Sequence, residues 1–380
     1  MATYYVKQAS DGGSNSANGL TPATAWATVS YALGGTTAIT GGDTLYVAPG
    51  RYLSVPSSSP IGVAPSSVIT VIGDVDASEF SGISAGLVRI TSHMSGDNAV
   101  GSTNRYPIIA TSKDNFVWKN IMLNGPCNLY SCSNWTFQQC VFHLDFAVYI
   151  MTMSECTNMI FDQCLFFGSK IGAGRCISSS FATQASDFDV ATTIKDCIFY
   201  TAGISRHIEI TLSGVSAGNP TGITAYNNTH LGYNTTVYRV TGSNNSATVL
   251  SVYNTLIFCD TTSAHFSAQV SGQLIEDYNR VSGIVRTNTP NGTNTVSTAT
   301  YYGADFGHYA ITRLGQLYPF ASHPNSLSAA FGTSTNAPTV DIYGNAWTGV
   351  TPDAGAVTYK DISASGGLLT HPGMTGGIRG

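Results

Sequence analysis

Cys132-Ser-Asn-Trp-Thr-Phe-Gln-Gln-Cys140-Val-Phe142 is followed, 24 residues later, by Cys156-Thr-Asn-Met-Ile-Phe-Asp-Gln-Cys164-Leu-Phe166. Cysteine matches cysteine at both ends, Asn134 matches Asn158, Phe137 matches Phe161 and Phe142 matches Phe166. Self-similarity at a period of 20–50 residues marks a solenoid or a propeller, where each unit buries its apolar face only against its neighbours. Within each copy the apolar residues alternate, Trp135 with Phe137 and Met159 with Phe161, before a short break and a second apolar pair. That is the two-residue period of a strand and not the i, i+3, i+4 spacing of a helix.

The same shape recurs on either side. Phe116-Val-Trp118-Lys-Asn-Ile121-Met-Leu123 precedes it; Thr193-Ile194-Lys-Asp-Cys197-Ile-Phe199, Thr224-Ala-Tyr226-Asn-Asn-Thr229-His-Leu231 and Leu250-Ser-Val252-Tyr-Asn-Thr255-Leu-Ile257 follow. Successive copies lie about 19 to 33 residues apart, a drift that a parallel β-helix absorbs in its corners, because each coil only has to stack its strands on the coil below. From Ile69 to Val285 the pattern predicts roughly nine or ten coils, a rod on the order of 45–50 Å long at one strand spacing per coil.

Composition agrees. Charged residues are 10% of the 380 and hydrophobic residues 43%, with Gly, Ser, Thr and Asn filling the polar positions. Disorder needs high charge and few aromatics, so it is excluded. The net charge of −5 and the lack of any basic run argue against a nucleic-acid partner. No stretch approaches the 18 apolar residues of a spanning helix, so no membrane insertion is expected. The start, Met1-Ala-Thr-Tyr-Tyr-Val6, has neither a basic n-region nor an apolar h-region, and the expectation is synthesis in a cytoplasm without Sec export.

Among the eight cysteines, Cys140, Cys164 and Cys197 fall at equivalent places in successive copies, as do Cys132 and Cys156. Equivalent inward positions stack at the inter-strand spacing, so these are expected to be free thiols acting as small hydrophobes in an internal ladder. No Cys-x-x-Cys pair is present to suggest a metal site.

Residues 1–52 are expected to cap the solenoid. Tyr4-Tyr5-Val6 is a short strand, and Trp26, Val29 and Leu33 lie at helical spacing over 21–33, with Thr21 and Pro22 as cap and first turn. A strand, Thr44-Leu-Tyr-Val47, closes at Pro49-Gly50. A solenoid must cover its first coil or leave its interior and strand edges open, and a short helix across the end does so. Residues 53–300 are assigned to the coils, with long polar insertions at 203–222 and 286–300. Residues 301–380 are a closing segment around 341–358 and a Gly-rich tail.

The Tyr-Tyr-Val strand, the Gly/Asn loop after it, Pro22-Ala-Thr-Ala-Trp-Ala-Thr28 and Gly42-Asp-Thr-Leu-Tyr-Val-Ala-Pro-Gly-Arg-Tyr52 together resemble the N-terminal cap of the right-handed parallel β-helix superfamily, which includes pectate-lyase-like enzymes and many phage tailspike and virion proteins. Asp341-Ile-Tyr-Gly-Asn345 through Asp353-Ala-Gly-Ala356 is similar to the terminal segment of many bacterial and phage members, where Asp-Ile-Gly-Ala is the commoner form. The resemblance implies an all-β, right-handed, single-stranded parallel β-helix in one domain. It implies little about function, because that fold hosts lyases, hydrolases, adhesins and inert structural parts alike.

Polysaccharide cleavage needs a carboxylate pair for hydrolysis, or a base with Ca²⁺ or Arg neutralising a uronate for elimination. Asp187 and Asp189 alternate and share one face, an acid/base arrangement in outline or a solvated insertion. Arg206, His207 and Glu209 cluster in Ser205-Arg-His-Ile-Glu-Ile210, which supplies arginine plus base or is a surface strand. Glu276-Asp277 is expected at a corner, and His143 with Asp145 as a surface pair. Asp74, Asp76 and Glu79 gather three carboxylates within six residues, conceivable Ca²⁺ ligands, but without EF-hand spacing. No cofactor is expected. Catalytic residues, if the protein is an enzyme, are Asp187, Asp189, Arg206 and Glu209. Twenty tyrosines suit stacking on sugar rings as well as filling a core.

The expected function is a phage virion structural protein, as a head decoration, a fibre or a tailspike-like host-binding part. Its expected partners are itself, as a homotrimer, other virion proteins and a host-surface glycan. A polysaccharide lyase or hydrolase is the first alternative, and a bacterial β-helix adhesin the second.

Overall fold

The computed structural model describes residues 1–53, 61–91, 106–144, 149–168, 172–181, 188–202, 204–212, 220–234, 236–242, 248–261, 265–282, 286–289, 292, 295–298, 310–313 and 316–318. The chain winds through three parallel sheets. Sheet A runs from Thr3–Val6 through Thr44–Val47 and Ile69–Gly73 to Leu274–Asp277, ten strands in chain order. Sheet B, also ten strands, runs from Gly50–Leu53 to Val296–Thr298, and sheet C, eight strands, from Ile108–Thr111 to Arg286–Thr287. From Ile69–Gly73 to Arg286–Thr287, eight successive coils each contribute one strand to each sheet, with the right-handed crossover that parallel connections take. Sheet A's ten strands, at ~4.8 Å each, make a rod about 43 Å long.

The twin stretches stack as their sequences align: Trp135 on Met159, Phe137 on Phe161 and Phe142 on Phe166. All six side chains are buried. Phe142, Phe166 and Phe199 form an internal ring stack with centroids 4.7 and 4.6 Å apart. Burying one phenylalanine stabilises the fold by roughly 1.5–3 kcal/mol, so stacks of this kind hold coil to coil.

The corner between sheets A and B is two residues long in seven successive coils. Its first residue is left-handed each time: Asn120, Gln139, Gln163, Asp196, Asn227, Asn254 and Tyr278, with φ between 52° and 56°. Its second residue points inward: Ile121, Cys140, Cys164, Cys197, Asn228, Thr255 and Asn279. The cysteine ladder expected from the sequence is therefore present, and the seven cysteines among the described side chains are free and buried. The thiols also do more than fill space. Cys140 donates to the Trp118 carbonyl of the coil before (3.4 Å), Cys164 to that of Phe137 (3.3 Å) and Cys197 to that of Phe161 (3.5 Å). In later coils asparagine takes over: Asn228 donates to the Ile194 carbonyl (2.9 Å) and accepts from the Cys197 amide (2.9 Å). In each of these coils the corner side chain donates to a strand carbonyl of the coil before, and a buried carbonyl needs a donor.

The N-terminal cap differs from the expectation in detail. The helix spans Val29–Ala32 alone, capped by Thr28, whose hydroxyl accepts from the Tyr31 amide (3.2 Å). Residues 21–28 do not join it, because Trp26 pairs with the edge of the first strand. The Tyr5 amide donates to Gly19 (2.8 Å), the Trp26 amide to Tyr5 (2.9 Å) and the Lys7 amide to Trp26 (2.9 Å). Trp26 stacks on Tyr4 at 5.1 Å. The exposed edge of the first strand is thus paired by a loop, a stronger demand than the helical spacing.

Three further expectations are corrected. From Ile69 to Val285, sheet A holds eight strands rather than nine or ten coils, because long corners take up chain. Within 203–222, Ile204–Leu212 is a strand of sheet C rather than part of an insertion. The stretch 286–300 likewise carries strands of sheets C and B, Arg286–Thr287 and Val296–Thr298. The closing segment 341–358 and the Gly-rich tail lie outside the described residues.

Candidate carbohydrate-binding face

Sheet C is where charge gathers. Strict alternation along Ile204–Leu212 would send Arg206 and Glu209 to opposite faces, since they are an odd number of residues apart. The structure breaks the alternation: His207 and Ile208 are successive and both buried, so Arg206 and Glu209 both face outward. Arg206 Nη1 then lies 2.9 Å from Glu209 Oε1. The neighbouring strands add two arginines that the sequence reading did not single out. Arg175, the in-register partner of Arg206, donates through Nε to Glu209 Oε2. Arg239, the in-register partner of Glu209, brings Nη1 to 3.8 Å from Oε1. Arg175 also donates to the Tyr149 hydroxyl (2.8 Å) and lies 4.9 Å from that ring's centre. The side chain of Glu209 is 4% exposed, against 19% for Arg175 and Arg206 and 35% for Arg239. The carboxylate is sunk beneath its cations. Burial, then the nearby charges of Arg239 and Arg175, lower the Arg206 guanidinium to about 10.

Around this cluster the face is lined by hydroxyl and amide groups in register. One row runs Asn128, Thr152, Ser178, then Glu209, Arg239, Ser267 and Thr287. A second runs Tyr130, Ser154, Ser180, Thr211. Ser154 and Ser180 hydrogen-bond across the strands (2.8 Å), and Thr241 donates to Thr211 (3.4 Å).

His207 does not join Arg206 and Glu209. It points into the core, where its Nδ1 is 2.8 Å from Nδ1 of His230, and Nε2 of His230 is 2.6 Å from the Tyr238 hydroxyl. Burial lowers the His207 ring to about 3, and burial with the neighbouring His207 and His265 rings holds His230 well below the usual range. Asp187 lies outside the described residues. Asp189 sits on a short strand, Phe188–Asp189, paired with Pro220–Thr221, and its side chain is outside the described set, so the expected acid/base pair has no described geometry.

Glu276 is not at a corner. It is an inward position of sheet A in register with Val252, paired with Arg286 (2.7 Å) and accepting from Asn279 (3.0 Å) and the Gly292 amide (3.1 Å). Asp74 closes its own loop, accepting from the Ser78 (3.1 Å) and Glu79 (2.9 Å) amides. His143 Nδ1 contacts the Asn124 side-chain amide (2.7 Å) and its ring stacks on Phe167; Asp145 is outside the described residues. Among the described residues no group of three or more His, Cys, Asp or Glu side chains could hold a metal ion.

Three parallel sheets, stacked coil on coil with left-handed corners and an internal ring ladder, make this chain a parallel β-helix protein. No protein-family model matches the sequence, and no curated protein sequence does. Among solved structures the chain is similar to pectate lyase Pel9A, with a TM-score of 0.44 and 14% identity, covering 95% of this chain and 97% of that one.

Proposed function

We propose that this protein is a host-surface-binding component of a phage virion that grips a surface polysaccharide along the outer face of sheet C. The observation that carries the reading is the pair of in-register rows, Asn128–Thr152–Ser178 and Tyr130–Ser154–Ser180–Thr211, which set partly exposed hydroxyl and amide groups at one strand spacing along the rod. A rigid ladder of small donors and acceptors suits the hydroxyl-rich edge of an extended glycan, and its strands are fixed by the coils on either side, so little ordering is needed on binding. The virion setting draws on the resemblance of the N-terminal cap to tailspike and virion β-helices. We propose a homotrimer as its assembly.

The lyase or hydrolase alternative is less well supported by this site. A general base must be free to accept a proton, and the Glu209 carboxylate is engaged by Arg175 and Arg206 with Arg239 close by. The test is to incubate purified protein with host capsule or lipopolysaccharide and follow both retention of polymer and new reducing ends. Retention without new ends, a native mass of three chains and presence in purified virions are the expected results. New reducing ends would replace this reading with the enzyme, and a monomer that retains no polymer would end it.

A further inference from the structure

The hydroxyl rows leave the charge at their centre unexplained. Arg175, Arg206 and Arg239 come from three successive strands of sheet C, Gly172–Phe181, Ile204–Leu212 and Thr236–Gly242, and converge on Glu209. Three cations meet one anion, in a chain whose formal charge is −5 and whose charged residues are only 10%. Arg175 and Arg206 are direct cross-strand partners, and like charges so placed repel. Arg206 Nε is buried and makes no hydrogen bond among the described residues. Glu209 neutralises the cluster from beneath, while the guanidiniums reach toward solvent, Arg239 furthest. An assembly that needed only an ion pair would require one arginine. Three leave two positive charges beside the hydroxyl rows, and forked guanidinium donors match the paired oxygens of a carboxylate or sulfate.

We propose that Arg175, Arg206 and Arg239 form an oxyanion subsite that receives the carboxylate or sulfate half-ester of an acidic sugar, with Tyr149 holding Arg175 in place. This rests on the reading of sheet C as a glycan-binding face, and makes the glycan an anionic one. Glu209 sets the spacing of the cations from below and does not touch the sugar. The hydroxyl rows on either side then meet the neutral parts of the chain, so that charge fixes position and hydroxyls fix direction.

The test uses the full chain and simple probes: sodium glucuronate, N-acetylglucosamine 6-sulfate, glucose and inorganic sulfate, titrated by calorimetry at low ionic strength. The two acidic sugars are expected to bind, each more tightly than inorganic sulfate, with glucose silent. Arg239→Gln keeps Arg175 and Arg206 on Glu209, so the fold is expected to survive, checked by circular dichroism, while acidic-sugar binding weakens about tenfold through loss of charge-assisted hydrogen bonds. Absence of acidic-sugar binding, equal affinity for inorganic sulfate, or unchanged binding in Arg239→Gln would overturn the assignment. A retained acidic polymer and its carboxyl-reduced form separate the two readings. If both are retained equally, the subsite fails and the glycan face stands. If neither is retained yet glucuronate binds and Arg239→Gln abolishes it, the anion site stands and the glycan face fails.

Discussion

His230 holds, in the core, the place that Phe199 holds one coil before it: the two rings are in register, stacked with centroids 4.5 Å apart. The phenylalanine stack Phe142–Phe166–Phe199 thus continues into an imidazole. Both nitrogens of that imidazole are engaged, one with His207 and one with Tyr238. With one proton on each histidine ring, His207 Nδ1–H can donate to His230 Nδ1, and His230 Nε2–H to the Tyr238 oxygen. A second proton on His230 would set its Nδ1–H against the Nδ1–H of His207 in that tautomer, and would place a charge in a buried site.

Acid should therefore weaken the fold at this coil. The folded rings of His207 and His230 lie below the ordinary histidine value, so the unfolded chain binds protons that the native chain does not. Stability contributed by keeping them neutral is present above the unfolded value of ~6.5 and is lost progressively as pH falls toward the folded value. Thermal unfolding from pH 7.5 to 4.5 should show a falling midpoint. His230→Phe should flatten that fall, and a wild-type midpoint that does not drop below pH 6.5 would contradict it.

Removing the Glu209 carboxylate should be severe. Its side chain is 4% exposed, and Glu209→Gln would leave Arg175, Arg206 and Arg239 facing one another with no anion. Breaking a buried pair from one side costs about 3–5 kcal/mol. Arg239→Gln, at the exposed rim, should cost less than about 1 kcal/mol. Urea unfolding of the two variants should separate them; equal losses would mean that the cluster is not held through Glu209.

The thiol ladder should be silent to reagents. Cys140 and Cys164 are buried, and burial raises both thiols well above their usual range. Thiolate is the reactive form. Because all seven described cysteines are buried away from reagent, alkylation followed by peptide mass spectrometry should leave Cys127, Cys132, Cys140, Cys156, Cys164, Cys176 and Cys197 unmodified in the native protein and all modified in denaturant. Cys164→Ala should cost roughly 1–3 kcal/mol, since a buried side chain is truncated and the Phe137 carbonyl loses a thiol donor.

Tyr278 is the poorest fit among the left-handed corners. It adopts φ 55°, where asparagine stands at Asn120, Asn227 and Asn254. Asparagine tolerates this region better than bulky residues do. Tyr278→Asn is expected to stabilise by roughly 0.5–1 kcal/mol, and Tyr278→Val to destabilise by more than that. A chemical denaturation series on the two variants would check the order.

Part of the candidate site was visible along the chain and part was not. Arg206 and Glu209 stood out because charge is rare here, so two charged residues near a histidine draw notice. Their meeting on one face was not legible, since strand alternation puts an odd spacing on opposite sides; the successive burial of His207 and Ile208 reversed that. Arg175 lies 31 residues before its register partner Arg206, and Arg239 lies 30 after its register partner Glu209, relations that exist only once coil stacks on coil. A search of the register for charges repeating at one coil length would have found them.

The coil itself was decided locally. The alternation of Trp135 and Phe137, its echo in Met159 and Phe161, and the cysteines closing each copy specify strand, corner and inward face, because the hydrophobic period and the left-handed corner residue act over a few neighbouring positions. The corners other than the two-residue one between sheets A and B vary in length from coil to coil, so which residue lies beside which across the sheet depends on the summed lengths of all the chain between them. That register, and with it the gathering of three arginines around Glu209 and of His207 with His230, was settled only when the coils packed, since charge and hydrogen bonding act through space and not along the sequence.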